Sequence, residues 1–315
     1  MLRHGQKKGV AILGIIWETS WPMKIKLAHS PDADDAFMFY ALTQGKIDLQ
    51  GLEFEEVQAP IDQLNQQALL GSNGGYEVSA VSFHVYPEIA EHYQLLTTGA
   101  CFGENYGPVV IANRNLKPKQ LRKVRVAIPG KTTTAFLVLK MLEPTVCYSE
   151  LPFDQILEDV AAGKVEAGLI IHEGQLSYEE KQLCKVIDLG EWWQKETNLP
   201  LPLGGIVVRR DLGWETAVKI QQVIRASIQY ALEHKDEALD FALPFARGLA
   251  REQVEKFVGM YVNDLTVDCG RKGMKAIKTL LERGAKLGFI KPVDFEELFL
   301  TRQAPEPELA ATPIS

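Results

Sequence analysis

Strand-like and helix-like segments alternate along this chain from Lys24 onward, and this order constrains the fold more than any other feature. Ile25-Lys-Leu-Ala28 is typical of a short strand. The next segment, Asp35–Gly45, carries its apolar side chains at helical spacing, with Asp34 as a candidate N-cap. Leu52–Val57 then alternates apolar and polar residues, as an edge strand does. The repeated order predicts an α/β architecture with mostly parallel sheets flanked by helices.

Two strands, each leading into a polar turn, divide this order into lobes. The first is Gly107–Ala112, after which a new series of strands and helices begins at Val124. The matching return is Leu203–Asp211, and the residues that follow it are mainly helical. This interrupted order resembles the type II periplasmic-binding-protein fold. We therefore expect two lobes, each a mixed and mostly parallel sheet flanked by helices, with a ligand cleft between them.

The two crossovers set the predicted lobe bounds. Lobe 1 is discontinuous and consists of residues 23–112 and 207–300, whereas residues 113–206 form lobe 2. Residues 301–315 carry three prolines and no apolar period, which predicts a disordered tail. No pattern in the sequence predicts an oligomeric state.

The first 22 residues begin with basic side chains and the apolar stretch Gly9–Trp17. This stretch is far shorter than the roughly 20 residues that cross a bilayer, so no membrane segment is predicted. It resembles a weak export signal, but no Ala-x-Ala cleavage site follows it. We interpret residues 1–22 as a disordered extension and Met23 as the natural start.

Charge and cysteine usage narrow the possible functions. The net charge is −7 and the pI is about 5.5, without the clustered Lys and Arg that nucleic acid requires. The four cysteines are scattered singly and form no zinc-binding pattern, which favours reduced thiols and a cytoplasmic location. They are Cys101, Cys147, Cys184 and Cys269.

The turn Pro129–Phe136 follows a predicted strand and opens a predicted helix. Such a turn presents N–H groups without intrahelical partners, together with the positive end of the helix dipole, and both attract anions. It is similar to part of a P-loop, but the position of that motif's first glycine is Arg125, which argues against nucleotide hydrolysis. The turn is equally compatible with a helix that is simply capped by Thr132. As a binding site, it predicts a small anionic partner.

His172 lies directly after the apolar strand Ala167–Ile171. In open α/β sheets, ligands bind beyond the carboxyl ends of the strands, so His172 lies where a catalytic side chain is expected. Its ordinary pKa, near 6.5, suits a proton acceptor. A histidine at a strand end is also often a structural hydrogen-bonding group. Glu173 is expected to face away from His172 if the strand continues.

Polar side chains follow two further strands. Ser30 belongs to the loop His29–Asp35, which is rich in carboxylates, but no second acidic cluster accompanies it and no metal site is predicted. Ser82 ends the third strand and could donate to a ligand oxygen or be satisfied by the backbone. Ser82 with His84 or His172 would also suit a hydrolase, but the chain lacks a Gly-x-Ser-x-Gly motif.

Four segments, taken in order, resemble one family. They are His29–Tyr40, Gly130–Phe136, Glu166–Glu173, and Asp188–Trp193 together with Leu199–Gly204. The family is 1,4-dihydroxy-6-naphthoate synthase, of the futalosine route to menaquinone, and the likeness runs from about Lys24 to Phe299.

The resemblance implies a carbon–carbon lyase that converts cyclic dehypoxanthinyl futalosine to 1,4-dihydroxy-6-naphthoate without a metal or organic cofactor. It implies that His172 is the proton acceptor. Substrate contacts are implied at the end of the third strand and at the start of the helix after the turn, by Ala80, Val81, Ser82, Thr134 and Ala135.

One motif departs from the family pattern. Many members carry Ser-Pro-Cys-Pro-Asn-Asp where this chain has Ser30–Asp35, so a contact from Asp32 or Ala33 is not carried over. A related candidate is chorismate dehydratase of the same pathway, although the His172 strand and the Trp192-Trp193 pair favour the naphthoate synthase. A third candidate is a transporter's solute-binding protein, against which the missing cleavage site and lipobox cysteine argue.

Overall fold

A computed structural model of the protein describes residues 23–300, so the interpretations of residues 1–22 and 301–315 lie outside the described residues. Within the described range the chain forms eleven strands. They are β1 (Met23–His29), β2 (Leu52–Gln58), β3 (Val78–Ser82), β4 (Tyr93–Leu95), β5 (Cys101–Gly103), β6 (Val109–Ala112), β7 (Arg125–Ile128), β8 (Cys147–Glu150), β9 (Ala167–Ile170), β10 (Cys184–Asp188) and β11 (Leu201–Arg209).

Eleven α-helices accompany these strands in the same part of the chain. They are α1 (Ala33–Thr43), α2 (Ile61–Ala68), α3 (Tyr86–Ile89), α4 (Thr134–Leu142), α5 (Ile156–Ala161), α6 (Leu189–Thr197), α7 (Trp214–Glu233), α8 (Lys235–Ala242), α9 (Arg251–Tyr261), α10 (Asp264–Val267) and α11 (Gly270–Lys286).

The strands form two separate mixed sheets, which confirms the predicted two-lobed α/β architecture. The sheets are not mostly parallel, because β6 and β11 each pair antiparallel with their neighbours. The first sheet has six strands in the order β2-β1-β3-β11-β4, with β5 paired to β11. β1 is parallel to β2 and β3, whereas β11 runs antiparallel to its neighbours. The second sheet has five strands in the order β10-β6-β9-β7-β8, of which β7, β8 and β9 are parallel. The carboxyl ends of β1 and β3 therefore meet at one edge, as the sequence analysis requires.

Sheet membership differs from the predicted lobe bounds at both crossovers. β6, which was expected in lobe 1, pairs with β9 and β10 of the second sheet. Residues Leu201–Ile206 were expected in lobe 2, but they belong to β11 and pair in the first sheet. The chain thus crosses between the lobes before β6 and before β11. Each of these strands is apolar enough to be buried within a sheet, so neither serves as the link.

Helices after β11 return to the first sheet, as the helical pattern predicts. α1 packs against α7, and Ser227 joins them because its hydroxyl donates to the Met38 carbonyl (2.7 Å) and accepts from the Leu42 amide (3.1 Å). A continuous cluster of buried apolar side chains extends from Tyr86 in the first lobe to Trp193 in the second. The two lobes therefore share packing as well as a cleft.

Two glycines allow the backbones to approach closely where the chain crosses between lobes. Gly190 lies at the start of α6, where the Leu189 amide donates to the Pro108 carbonyl (2.9 Å). A methyl group on Gly190 would overlap the Tyr106 carbonyl oxygen, which is backbone and cannot rotate away. Gly107 faces the same contact from the other side. The crossover geometry therefore requires glycine at this point.

We expect Gly190→Ala to lower the free energy of unfolding by about 1–3 kcal/mol, because overpacking forces a backbone shift. Gly259→Ala is the matched control: Gly259 lies within α9 with open space around it, and alanine should add about 0.5–1 kcal/mol there. Urea unfolding followed by circular dichroism measures both. Equal midpoints for the two variants would contradict the close approach.

Candidate active site

A cavity of about 130 Å³ lies between the lobes. Residues of both lobes line it, together with residues from α9, so that neither lobe encloses it alone. Its walls consist of Ser30, Asp32, Asp34, Asp35, Ile61, Ser82, Cys101, Pro108, Thr133, Thr134, Ala135, Ile171, Leu203, Gly204, Phe257 and Tyr261. Four of the predicted site residues, Ser30, Ser82, Thr134 and Ala135, are thus brought together.

The N-terminus of α4 forms one wall of this cavity. Thr133 is the N-cap, and its hydroxyl oxygen accepts from the Phe136 amide (3.3 Å), so the expected cap at Thr132 is wrong by one residue. The amides of Thr134 and Ala135 have no acceptor among the described residues. These two N–H groups and the positive end of the helix dipole lie at the cavity, which is an arrangement that favours an anion.

Ser82 contributes a hydroxyl beside this helix end. Asn65 is fully buried and holds Ser82 in place: its amide nitrogen donates to Ser82 Oγ (3.1 Å), and its carbonyl accepts from the Ser82 amide (2.8 Å). Because Ser82 Oγ accepts this bond, its own proton remains available to a ligand. Ala80 and Val81 precede Ser82 on β3 but do not line the cavity. The structure therefore brings only the last of these three residues to the wall.

The loop after β1 forms the opposite wall and rests on a buried histidine. The His29 ring contacts two acceptors, the Ser30 carbonyl at Nδ1 (2.9 Å) and Glu56 at Nε2 (2.9 Å). Burial disfavours the charged ring, but the Glu56 hydrogen bond and the charge of Asp35 outweigh it and raise the pKa of His29. With both nitrogens donating, His29 is an imidazolium. Its charge lies beneath the carboxylates of the loop.

The carboxylates of this loop differ in their partners. Asp35 accepts from the Ser30 amide (2.7 Å), and burial raises its pKa to about 6 against the opposing charge of His29. Asp34 is not the helix cap that its position suggested, because α1 begins at Ala33 and the N-cap position is Asp32. Asp34 instead lies in the first turn of α1 and lines the cavity, and no other residue among those described forms a hydrogen bond with its carboxyl group.

Arg247 joins the lobes through an ion bridge that it makes with Asp32 and Glu173. Its guanidinium contacts Asp32 of the first lobe (2.6 Å) and Glu173 of the second (2.7 Å). It also lies 4.9 Å from the ring centre of Phe153 in the second lobe. Glu173, whose side chain is only 2% exposed, additionally accepts from the Ala33 amide (3.3 Å). Glu173 can reach across because β9 ends at Ile170, where the turn breaks the alternation expected of a longer strand.

His172 lies beside the cavity rather than in its wall. Ile171 lines the cavity, whereas His172 lines a neighbouring opening together with Glu173 and Arg247. Its Nδ1 accepts from the Gly174 amide (3.0 Å), and its buried Nε2 has no partner among the described residues. Burial, helped by the charge of Arg247, lowers the pKa of His172 to about 4. The ring is therefore neutral near pH 7 and carries its proton on Nε2.

Helix α9 supplies two cavity residues that the sequence analysis missed. Phe257 and Tyr261 line the wall, and the Tyr261 hydroxyl donates to Gln175 of the second lobe (2.9 Å). They are spaced four residues apart, which is an ordinary core pattern for an amphipathic helix, so no local signal distinguished them. Among residues 23–300, no group of three or more His, Cys, Asp or Glu side chains is placed to hold a metal ion. No helix in that range has the length and apolar character needed to cross a membrane.

The two sheets and the interlobe cavity define a two-lobed binding-protein fold, and solved structures confirm it. The chain is similar to the alkanesulfonate-binding protein SsuA of Xanthomonas axonopodis, with a TM-score of 0.65 at 10% identity, over 88% of this chain and 96% of that one. It is also similar to a protein of solved structure from Archaeoglobus fulgidus, with a TM-score of 0.81 and 44% identity, over 85% of this chain and 98% of that one. The first likeness concerns the fold alone.

Sequence comparison specifies the family within this fold. Residues 25–286 match the model of the menaquinone biosynthesis family, and the chain belongs to that family. It is 37% identical to the 1,4-dihydroxy-6-naphthoate synthase of Thermus thermophilus, over 85% of this chain and 96% of the relative. It is 33% identical to the enzyme of that name from Streptomyces coelicolor, over 84% and 94%. The resemblance inferred from four motifs is thus confirmed along most of the chain.

The Arg247 ion bridge leads to a stability prediction. Arg247→Met would leave Glu173 buried without its cation, which should lower the free energy of unfolding by about 1–3 kcal/mol. Arg251→Met is the matched control, since Arg251 pairs with Asp236 and Asp240, which are 95% and 69% exposed. Such surface pairs contribute less than about 1 kcal/mol. Urea unfolding measures both, and small-angle scattering should show a larger radius of gyration for Arg247→Met alone. Equal effects of the two substitutions would contradict the bridge.

Proposed function

We propose that this protein is a lyase that converts cyclic dehypoxanthinyl futalosine to 1,4-dihydroxy-6-naphthoate. The observation that carries the proposal is the interlobe cavity, in which free helix amides and hydroxyls face a small buried space. The two relatives that carry the name of this synthase support the choice of substrate. The free state of the four cysteines accords with a cytoplasmic enzyme.

The proposed carboxylate site is the start of α4. The amides of Thr134 and Ala135 would donate to the substrate carboxylate, and the Thr134 hydroxyl can add a third donor because its oxygen already accepts from the His84 amide (3.2 Å). Ser82 would donate from β3. Donors of this kind bind an anion without a positively charged side chain, which accords with a wall that lacks Lys and Arg. Ser30 lies across the cavity, where it can contact the remainder of the substrate.

His172 is the proposed proton acceptor, and the geometry specifies what this role requires. Its Nδ1 lone pair is directed at the Gly174 amide, so the ring must release that amide before Nδ1 can take a proton. Turning about the side-chain bonds would bring the ring past Ile171 toward the cavity. Proton removal would be followed by ring opening and release of the sugar-derived fragment, and the gain of aromaticity in the product supplies driving force. Enclosure between the lobes excludes water during these steps.

The substrate assignment is tested by incubating the purified protein separately with cyclic dehypoxanthinyl futalosine and with chorismate. We expect conversion of the first to 1,4-dihydroxy-6-naphthoate, detected by mass spectrometry, and no change in the second. Conversion of chorismate alone would identify the protein as a chorismate dehydratase instead. Binding of either compound without any product would indicate a solute-binding protein.

The role of His172 is tested by His172→Ala. Removing a positioned base should lower kcat by about 10²–10⁴-fold. His92→Ala is the control, because His92 is exposed and does not line the cavity. Since the pKa of His172 is lowered to about 4, the base stays neutral and active as the pH falls below 6.5, and its contribution is lost only near pH 4. Wild-type turnover by His172→Ala would remove this residue from the mechanism without affecting the substrate assignment.

A further inference from the structure

The side chains of the cavity wall that can carry a charge at neutral pH are all acidic. Three aspartates line it, namely Asp32, Asp34 and Asp35, whereas no Lys, Arg or His side chain does. An anionic substrate would therefore meet only negative charges if all three were ionised. This inference rests on the proposed function for one property alone, which is the negative charge of the substrate.

Two of the three aspartates are compensated by groups outside the wall. Asp32 is bound by Arg247 (2.6 Å) and by the Ser30 hydroxyl (2.6 Å). Asp35 accepts from the Ser30 amide (2.7 Å) and lies 4.0 Å from His29. Asp34 lacks such a partner among residues 23–300, so its carboxyl group is left to interact with whatever fills the cavity.

We propose that Asp34 works as a neutral carboxylic acid that donates its proton in a hydrogen bond to the substrate, so that the cavity accepts an anion only while Asp34 is protonated. A protonated carboxyl group offers one O–H donor together with its acceptor oxygens. It would complement the amides of α4 across the cavity without adding charge. The same residue in its ionised form would repel the substrate at short range. Asp34 is thus a binding residue whose protonation state controls whether an anionic substrate can bind in the cavity.

The groups around Asp34 favour the protonated form. Burial raises the pKa of Asp34 well above its usual range, and the nearby negative charges of Asp35, Asp32 and Glu173 raise it further, against a smaller opposing effect of a hydrogen bond from its own backbone amide. Cys101 of β5 and Tyr261 of α9 face it from the other packed elements, and burial raises the pKa of both, so they remain neutral. Arg247 and His29 are the nearby cations: Arg247 contacts Asp32 and Glu173, and His29 lies 4.0 Å from Asp35. Substrate binding is therefore strong below the pKa of Asp34 and weakens as the pH rises through it.

The kinetic test compares Asp34→Asn with Asp34→Ala across the neutral and alkaline range. Asparagine keeps a donor of the same shape and cannot ionise, so kcat/KM should stay near the wild-type value at neutral pH without the wild-type decline at high pH. Alanine removes the donor and should lower kcat/KM about 10- to 150-fold at neutral pH, mainly through KM, and it should not show the wild-type decline at high pH. Asp48→Asn is the control, since Asp48 is exposed and its Oδ1 accepts from the Gln50 amide, which asparagine can also do.

Two kinetic results would overturn the proposal while leaving the proposed function intact. One is an alkaline decline in Asp34→Asn that equals the decline in the wild type. The other is an Asp34→Asn variant that loses as much kcat/KM as Asp34→Ala at neutral pH, since a neutral donor of the same shape would then be insufficient.

A spectroscopic test does not depend on turnover. The carbonyl stretch of a protonated carboxylic acid should appear at neutral pH in the infrared spectrum of the unliganded wild type and be absent from Asp34→Asn. A difference spectrum without this band means that Asp34 is ionised, and the proposal fails whatever the substrate is. If the band is present but no product forms from cyclic dehypoxanthinyl futalosine, the proposed function fails and the protonation of Asp34 stands.

Discussion

The Arg247 ion bridge is the interaction on which the arrangement of the candidate site depends. A single guanidinium contacts Asp32 after β1 and Glu173 after β9, so it ties together the two strand ends that carry the acidic loop and His172. The residue adopts a left-handed backbone conformation, with φ of 51°, which is uncommon for a side chain of this size. The surrounding contacts evidently outweigh that cost, because both carboxylates and the face of Phe153 converge on the guanidinium.

Charge compensation explains how an acidic loop can border a site for an anion. His29 lies beneath the loop as an imidazolium, and Arg247 flanks it, so two of the aspartates are neutralised from outside the cavity. On the facing wall, the start of α4 offers amide groups and a helix dipole rather than a charged side chain. Partial charges fixed in the backbone attract an anion without a counter-ion that would itself need compensation. The cavity is thus polar on both sides, and the cations that compensate its acidic loop lie outside the wall.

The sequence analysis succeeded where the decisive information is local. Strand and helix periodicity predicted β1, β2, α1 and the helices after β11, and the strand-to-helix turn predicted free amides at the start of α4, although with the cap one residue too early. Its errors concern residues whose role depends on contacts with distant parts of the chain. Asp34 was read as a cap because an aspartate before a helix usually is one, but the chain enters the helix earlier. Of the three β3 residues that the resemblance implied, only Ser82 lines the cavity, although Ala80 lies on the same face of the strand.

The sequence by itself determined the class of fold, the strand ends at which the site is built and the family to which the chain belongs. These follow from periodicity, from the preference of helix starts for anions and from motifs that lie within short segments. Only the tertiary structure showed that Arg247 joins the lobes, that Tyr261 completes the wall and that Asp34 is left without a partner. The physical reason is that hydrogen bonding, burial and charge compensation depend on groups that meet across the fold. Asp34 and Glu173, for example, stand 139 residues apart in the chain, yet the charge of Glu173 raises the electrostatic cost of ionising Asp34.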